Sequence, residues 1–237
     1  MKMNEMTLDE IVAELKKGTR VILQVRHAER TKIDPDDPTF GDGVAITSEG
    51  IRTSLLFGEK LRDFAANAQF YASPLLRTRM TAEKIAEGMG ITNPVIPTDG
   101  KLGNDSFYYD DPAQVLDVFR PENFFPASFE YMETGRQRGF KDLYAATDTL
   151  EAWLFEHFSK QLFIVVTHDL YIASFLAARK AVEKFSRETW TRFLDAAAIL
   201  VAPDGSRRYA LVRAGLSDGI CGVGPKVGKT AEQAPNP

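Results

Sequence analysis

The stretch VILQVRHAER, Val21 to Arg30, decides how this chain is read. Its apolar, β-branched run predicts a buried strand. That strand ends in Arg-His-x-x-Arg, so Arg26, His27 and Arg30 put two guanidiniums and an imidazole where the backbone should emerge into solvent. A second segment has the same form: QLFIVVTHDLYIASFLAARKA, Gln161 to Ala181, reads as an apolar strand ending in His168-Asp169 and running straight into a helix. A third, QFYASPLLRTRMTAEKIAEGMG, Gln69 to Gly90, reads as a short strand followed by Ser73 as helix N-cap and Pro74 at the first helical position. Arg77 then lies just inside that helix, which stops around Gly88 to Gly90.

Outward from these, Leu8, Ile11, Val12 and Leu15 share one face of a short helix capped by Thr7. TKIDPDDPTFGDG, from Thr31, has loop composition, and ITSEGIRTSLLFGEKLRDFAANA, from Ile46, returns to helical spacing through Ile51, Leu55, Leu61 and Ala65. NPVIP, from Asn93, predicts a brief edge strand, and Lys101 to Phe129 is aromatic-rich and irregular. A long helix is expected over roughly Gly139 to Ser159, buried through Leu143, Leu150, Leu154 and Phe158. AAAILVAP and RRYALVRA form the last strand pair around the turn Asp204-Gly205-Ser206. Strands alternating with helices predict an α/β fold: a three-layer α/β/α sandwich on a mostly parallel central sheet. The expected organisation is one domain over residues 1–214, with an aromatic insertion or lid at 100–135 and a flexible tail over 215–237.

Composition narrows the function classes. A formal charge of −4 gives no general reason to expect nucleic acid or an anionic membrane as partner, so any basic site is local. The single cysteine, Cys221, excludes an intramolecular disulfide and a multi-cysteine zinc site. No stretch approaches the ~18 apolar residues of a membrane span, and the N-terminus lacks the continuous apolar segment of a secretory signal. A soluble, cytoplasmic protein is expected, with a homodimer left open.

In open α/β sheets, ligands sit in the crevice at the carboxyl ends of neighbouring strands. If the three polar strand ends are neighbours, one pocket holds His27, His168, Arg26, Arg30, Arg77 and at least one carboxyl. Arginines repel a metal cation, and no compact histidine-carboxylate ligand spacing is present, so no metal and no cofactor are expected. The set suits a phosphoryl group instead: guanidinium forks match phosphate oxygens and neutralise a dianion, and helix N-termini after Ser73 and Asp169 add N–H donors. Histidine, neutral in part at pH 7, is the natural nucleophile beside them.

With these residues in view, the sequence resembles the histidine phosphatase superfamily, which includes phosphoglycerate mutases, small phosphohistidine phosphatases, acid phosphatases and phytases. The matching pieces are RHAER after the first strand, ITSEG opening the next helix (similar to Leu-Thr-x-x-Gly), ASPLLRTRMTAE (similar to Ser-x-Leu-x-Arg-x-x-x-Thr-Ala) and VVTHD. They run from about residue 20 to 181, and their order is more specific than any one of them. The resemblance implies a phosphoglycerate mutase-like fold, His27 as the phosphorylated nucleophile, and Arg26, Arg30, Arg77 and His168 around the phosphate. Two departures stand out. Ala28 replaces the glycine common in small mutase-like members, which is expected to restrict backbone approach slightly. Asp169 gives the His-Asp pair of the acid phosphatase and phytase branch, where that aspartate donates the proton.

The implied activity is hydrolysis of a small phosphomonoester through a phosphohistidine, with Asp169 favoured as proton donor, Asp105 in KLGNDSFYY as its competitor and Glu29 as a weaker third. A phosphoglycerate-type mutase and a non-catalytic phospholigand-binding module are the alternatives. The bland readings are a structural His168 beside an N-cap at Asp169, a solvated Arg79, a solvent-facing His157, and core or lid packing for Phe107, Tyr108, Tyr109, Phe119, Phe124, Phe125 and Phe129. GVGPKVGKT, Gly222 to Thr230, fails as a phosphate loop because Val223 stands at its first glycine position.

Overall fold

The computed structural model of the chain describes residues 3–227 apart from 35, 38 and 40. Thr7 ends a short strand β1 (Glu5–Thr7) and caps α1 (Leu8–Lys16) through a reciprocal bond pair with Glu10, which satisfies donors a bare helix start would strand. The decisive stretch forms β2 (Arg20–Arg26), and a short β3 (Thr31–Ile33) follows within the segment expected as loop. Next come α2 (Ser48–Lys60), β4 (Ala68–Ala72), α3 (Leu76–Gly88), α4 (Pro112–Val118), α5 (Phe124–Thr134) and α6 (Leu143–His157). The chain continues through β5 (Leu162–Thr167), α7 (Asp169–Ala178), β6 (Ala196–Val201), β7 (Arg207–Arg213) and β8 (Val223–Val227).

The central sheet has the order β1-β7-β6-β2-β5-β4. β2, β5 and β4 are parallel neighbours, and β6 alone runs against the rest. Pleat alternation divides the core. Val21, Leu23 and Val25 face the layer holding α1, α2 and α3, while Ile22 faces the aromatic-rich layer of α6 and α7. The fold is therefore the expected α/β sandwich with a mostly parallel sheet. Each fully buried aliphatic side chain on β2 and β5 contributes about 1.5–3 kcal/mol.

Several local expectations are corrected. Helix α3 starts at Leu76, not at Pro74: Leu75 takes the N-cap position without a side-chain cap bond, and the Ser73 hydroxyl is turned to another partner. NPVIP forms no strand; the residue after it, Thr98, makes a single parallel bridge to Ala72. The segment read as irregular holds α4, started by Asp111 and Pro112, and α5, whose aromatics obscured its period. Asp142 caps α6 and sets its start four residues after Gly139. His157 is half-buried and stacked on Trp153 at 4.3 Å, because its Nδ1 bonds the Trp153 carbonyl. The chain expected to leave the domain at 215 instead folds back as far as Val227, with β8 paired to β3. Residues 228–237, which complete the expected tail, lie outside the described residues.

The ITSEG motif has a positional purpose. Thr47 caps α2 through Gly50 N (3.0 Å), and its own N–H bonds the Glu29 carbonyl (2.9 Å). A Cβ on Gly50 would sit 2.4 Å from that carbonyl oxygen, so only glycine lets α2 lie against RHAER. Gly50→Ala should cost about 1–3 kcal/mol through overpacking. The urea midpoint checks this, and an unchanged midpoint would refute the close approach.

Candidate active site

Three parallel strands end side by side, and their last residues carry the pocket. His27 N bonds the Thr167 carbonyl (3.0 Å) and Ser73 N bonds the Val166 carbonyl (3.0 Å), so β5 holds the chain beyond both of its neighbours. His27 and His168 come together with ring centroids 5.6 Å apart. The His27 Nδ1 lies 2.8 Å from the Ala28 carbonyl, which can only accept. Nδ1 therefore carries the hydrogen and Nε2 keeps its lone pair. Thr81 on α3 fixes this peptide by accepting from Ala28 N (3.0 Å). The Ala28 methyl is buried in the core layer of α1, α2 and α3. Across the pocket, the His168 Nε2 meets the Ser73 hydroxyl at 3.1 Å.

The arginines are buried and held by carbonyls. Arg26 donates to Thr191 O (2.6 Å) and Ile220 O (2.9 Å), and its guanidinium lies 4.4 Å over the Phe193 ring. Arg77 donates to Gly41 O (2.8 Å), and Arg30 to Thr31 O (2.8 Å). Among the described residues, the Nε of all three is buried with no hydrogen-bond partner. Among the described residues, one carboxylate is ion-paired with these arginines: Asp169 Oδ2 lies 3.0 Å from Arg26 Nη2. Asp169 occupies the first turn of α7, where the helix dipole favours an anion.

Electrostatics follow from burial. Desolvation, then the charges of Arg77 and Arg30, pushes His27 well below the ordinary value of 6.5, and the same causes lower His168. Burial, then Arg30, brings Arg77 down to about 9; burial, then Arg26, brings Arg30 down to about 10. A pocket of neutral imidazoles among mutually repelling, incompletely bonded guanidiniums is built for an anion. Inorganic phosphate or vanadate should therefore stabilise the fold by about 2.7 kcal/mol at a hundred times its Kd. Thermal melting with and without phosphate reads this, and an equal shift from chloride at matched ionic strength would refute a specific site.

Acid should act in the opposite direction. Above about pH 6.5 both imidazoles are neutral whether the chain is folded or not, so the stability from these groups is intact. As pH falls below that value the unfolded chain takes protons that the folded pocket refuses, and stability declines toward the depressed folded values. Urea midpoints between pH 8 and 5 should fall, and less steeply for His168→Asn; equal slopes would count against the neutral state.

The residues expected at the site divide clearly. Arg26, His27, Arg30, Arg77, His168 and Asp169 converge, and the charge of Asp169 is felt at both Arg30 and Arg77. Asp105 is exposed, with its carboxylate folded back over Gly100. Glu29 accepts from the Thr47 hydroxyl at 2.8 Å and belongs to the start of α2. Arg79 is exposed. Asp169 follows the N-cap residue, His168, instead of being the cap itself. Phe107 and Tyr108 are core, whereas Phe119, Phe124, Phe125 and Phe129 are half-buried.

Other contributors carry no sequence signal. Phe193 packs on His27 at 5.6 Å, and Thr191 and Ile220 act through backbone carbonyls, which no side-chain motif encodes. Asp42 lends its charge to Arg77 and accepts from Asn104 Nδ2 at 3.1 Å, from within a loop-forming run of aspartates. Among the described residues, no group of three or more His, Cys, Asp or Glu could hold a metal ion, and no helix is long and apolar enough to cross a membrane.

Comparison with known proteins agrees with this fold. Residues 22–100 match the family model "Histidine phosphatase superfamily (branch 1)", so the resemblance to that superfamily is borne out over the stretch that holds RHAER, ITSEG and ASPLLRTRMTAE. A solved structure titled mycobacterial hydrolase 1 is similar with a TM-score of 0.53 at 15% identity, over 83% of this chain and 98% of that one. Phosphoglycerate mutase from Bacillus anthracis is similar at 0.52 and 14% identity, over 82% and 92%. The mycobacterial glucosyl-3-phosphoglycerate phosphatase, solved with VO3, is similar at 0.51 and 15% identity, over 86% and 100%. Identities this low speak for the fold alone, and that fold is phosphoglycerate mutase-like. No curated protein matches the sequence.

Proposed function

We propose that the chain hydrolyses a small phosphomonoester through a phosphohistidine on His27. The observation that carries this is the His27 ring: a hydrogen on Nδ1 held by the Ala28 carbonyl, a free Nε2 lone pair, and three buried arginines around it with unpartnered Nε atoms. In the reading, Arg26, Arg30 and Arg77 take the non-bridging oxygens, and Nε2 of His27 attacks phosphorus in line with the leaving oxygen. Positioning and charge neutralisation then supply most of the rate. The incoming dianion favours a proton on His168, which donates to the phosphate.

The P–O bond to the leaving group breaks as the N–P bond forms, and the departing oxygen takes a proton from Asp169. Water then attacks the phosphohistidine while Asp169 accepts its proton, returning free His27 and phosphate. Asp169 is preferred over Asp105 because its Oδ2 touches Arg26 whereas Asp105 folds over Gly100. The test is phosphate release from p-nitrophenyl phosphate and a panel of phosphosugars, with rapid acid-free quenching and mass spectrometry of the His27 peptide. A transient phosphoryl adduct there, with phosphate release, supports the proposal. Phosphate binding without turnover sinks it in favour of a binding module, and transfer back to bound product without net release sinks it in favour of a mutase.

A further inference from the structure

Asp169 has a partner that the reaction as written does not use. Trp190 Nε1 lies 3.1 Å from Asp169 Oδ2, the same oxygen that meets Arg26. The other oxygen, Oδ1, is 2.9 Å from the Leu170 backbone N. Trp190 is fully buried and its ring is walled by Phe124, Phe125, Phe129 and Phe185, all at centroid distances of 5.3–5.9 Å. Its backbone is also held, since its carbonyl accepts from Arg213 Nη1 at 3.0 Å and Arg213 is itself bound to buried Asp195 at 2.6 Å. Few indoles are fixed from so many directions, and only one polar atom of the ring remains to be satisfied.

The geometry points to Trp190 as the positioning residue of the proton donor, fixing the rotation of the Asp169 carboxyl. An indole N–H can only donate, so the oxygen it faces must accept in every protonation state. When a phosphate dianion draws the Arg26 guanidinium to itself, Oδ2 still has Trp190 and Oδ1 still has the Leu170 N–H, so the carboxyl keeps its rotation. The transferable proton points away from both of these donors, and the indole fixes the carboxyl rotation that aims it. The aromatic helix α5, which forms three walls of the indole seat, becomes the support of a catalytic proton. This inference rests on the proposed phosphatase reading with Asp169 as acid.

The test uses leaving groups. An alkyl phosphate needs a proton on the departing oxygen, whereas p-nitrophenolate leaves without one. Asp169→Asn should lower the alkyl-to-p-nitrophenyl ratio of kcat/KM by about 10²-fold, and Trp190→Phe, which keeps the aromatic packing but lacks the N–H, by about 10-fold. The double variant should fall no further than Asp169→Asn, because the indole acts only through that carboxyl. A ratio lowered by Asp169→Asn but unmoved by Trp190→Phe overturns the role of Trp190 and leaves the phosphatase standing. A ratio unmoved by Asp169→Asn overturns the assignment of the acid itself. Should Trp190→Phe not fold, the indole N–H of full-length protein reports directly, since the chain has two tryptophans and Trp153→Phe assigns the resonances. The Trp190 resonance should move between wild type and Asp169→Asn with phosphate bound; coincident resonances refute the contact.

Discussion

Replacing His27 with alanine should lower kcat by at least about 10⁴-fold, since the proposed nucleophile, removed from a site that acts as a unit, takes most of the chemistry with it. The variant should nevertheless keep its phosphate-induced rise in melting temperature. Arg26, Arg30 and Arg77 are anchored to the carbonyls of Thr191, Ile220, Thr31 and Gly41, and none of these bonds passes through the imidazole. Retention of more than about a tenth of the activity would remove His27 from the mechanism. Loss of both activity and phosphate response would mean that the variant had lost its pocket, and circular dichroism distinguishes that case.

Arg77→Met should separate catalysis from folding. Burial and the neighbouring Arg30 charge already bring Arg77 down to about 9, so holding it ionised at neutral pH costs the empty protein stability. Methionine of similar length forfeits the bond to Gly41 O, about 1 kcal/mol, but removes that penalty. The unliganded urea midpoint should hold or rise. The ligand side moves the other way: kcat/KM should fall about 10³-fold, the scale on which a single transition-state charge partner is missed. The phosphate-induced melting shift should shrink as well. A destabilised apoprotein with a full phosphate shift would contradict the assignment of Arg77 to the anion.

How much of this was legible from sequence depended on where the information is stored. β2 and β5 were readable because both are buried on two faces and so appear as unbroken apolar runs ending abruptly in charge. Their parallel neighbourhood then brought Arg26, His27, His168 and Asp169 together by register alone. Ser73 misled for a physical reason: a serine before a proline is a good helix start, but here its hydroxyl faces His168, and the helix begins later without a cap. Helix α5 was hidden because its three phenylalanines pack on Trp190 while staying half-buried, and its fully buried positions are Ser128 and Tyr131. The carbonyls of Thr191 and Ile220 were invisible in principle, since any residue could supply them. Glycine, proline, lysine and small residues after 215 suggested a free end, whereas pairing of β8 with β3 and bonds to Arg26, Arg30 and Phe193 hold that segment in place.

That last contact bears on biosynthesis. The central sheet is complete in the polypeptide once Arg213 has been added, yet Arg26 takes one of its two carbonyl anchors from Ile220, and Val223 N reaches back to Arg30 O. A ribosome delivers those anchors after every strand of that sheet. A nascent chain can thus bury its apolar strands while the guanidiniums proposed to hold phosphate still lack their final restraints, so on that reading competence to bind an anion arrives after the architecture that houses it.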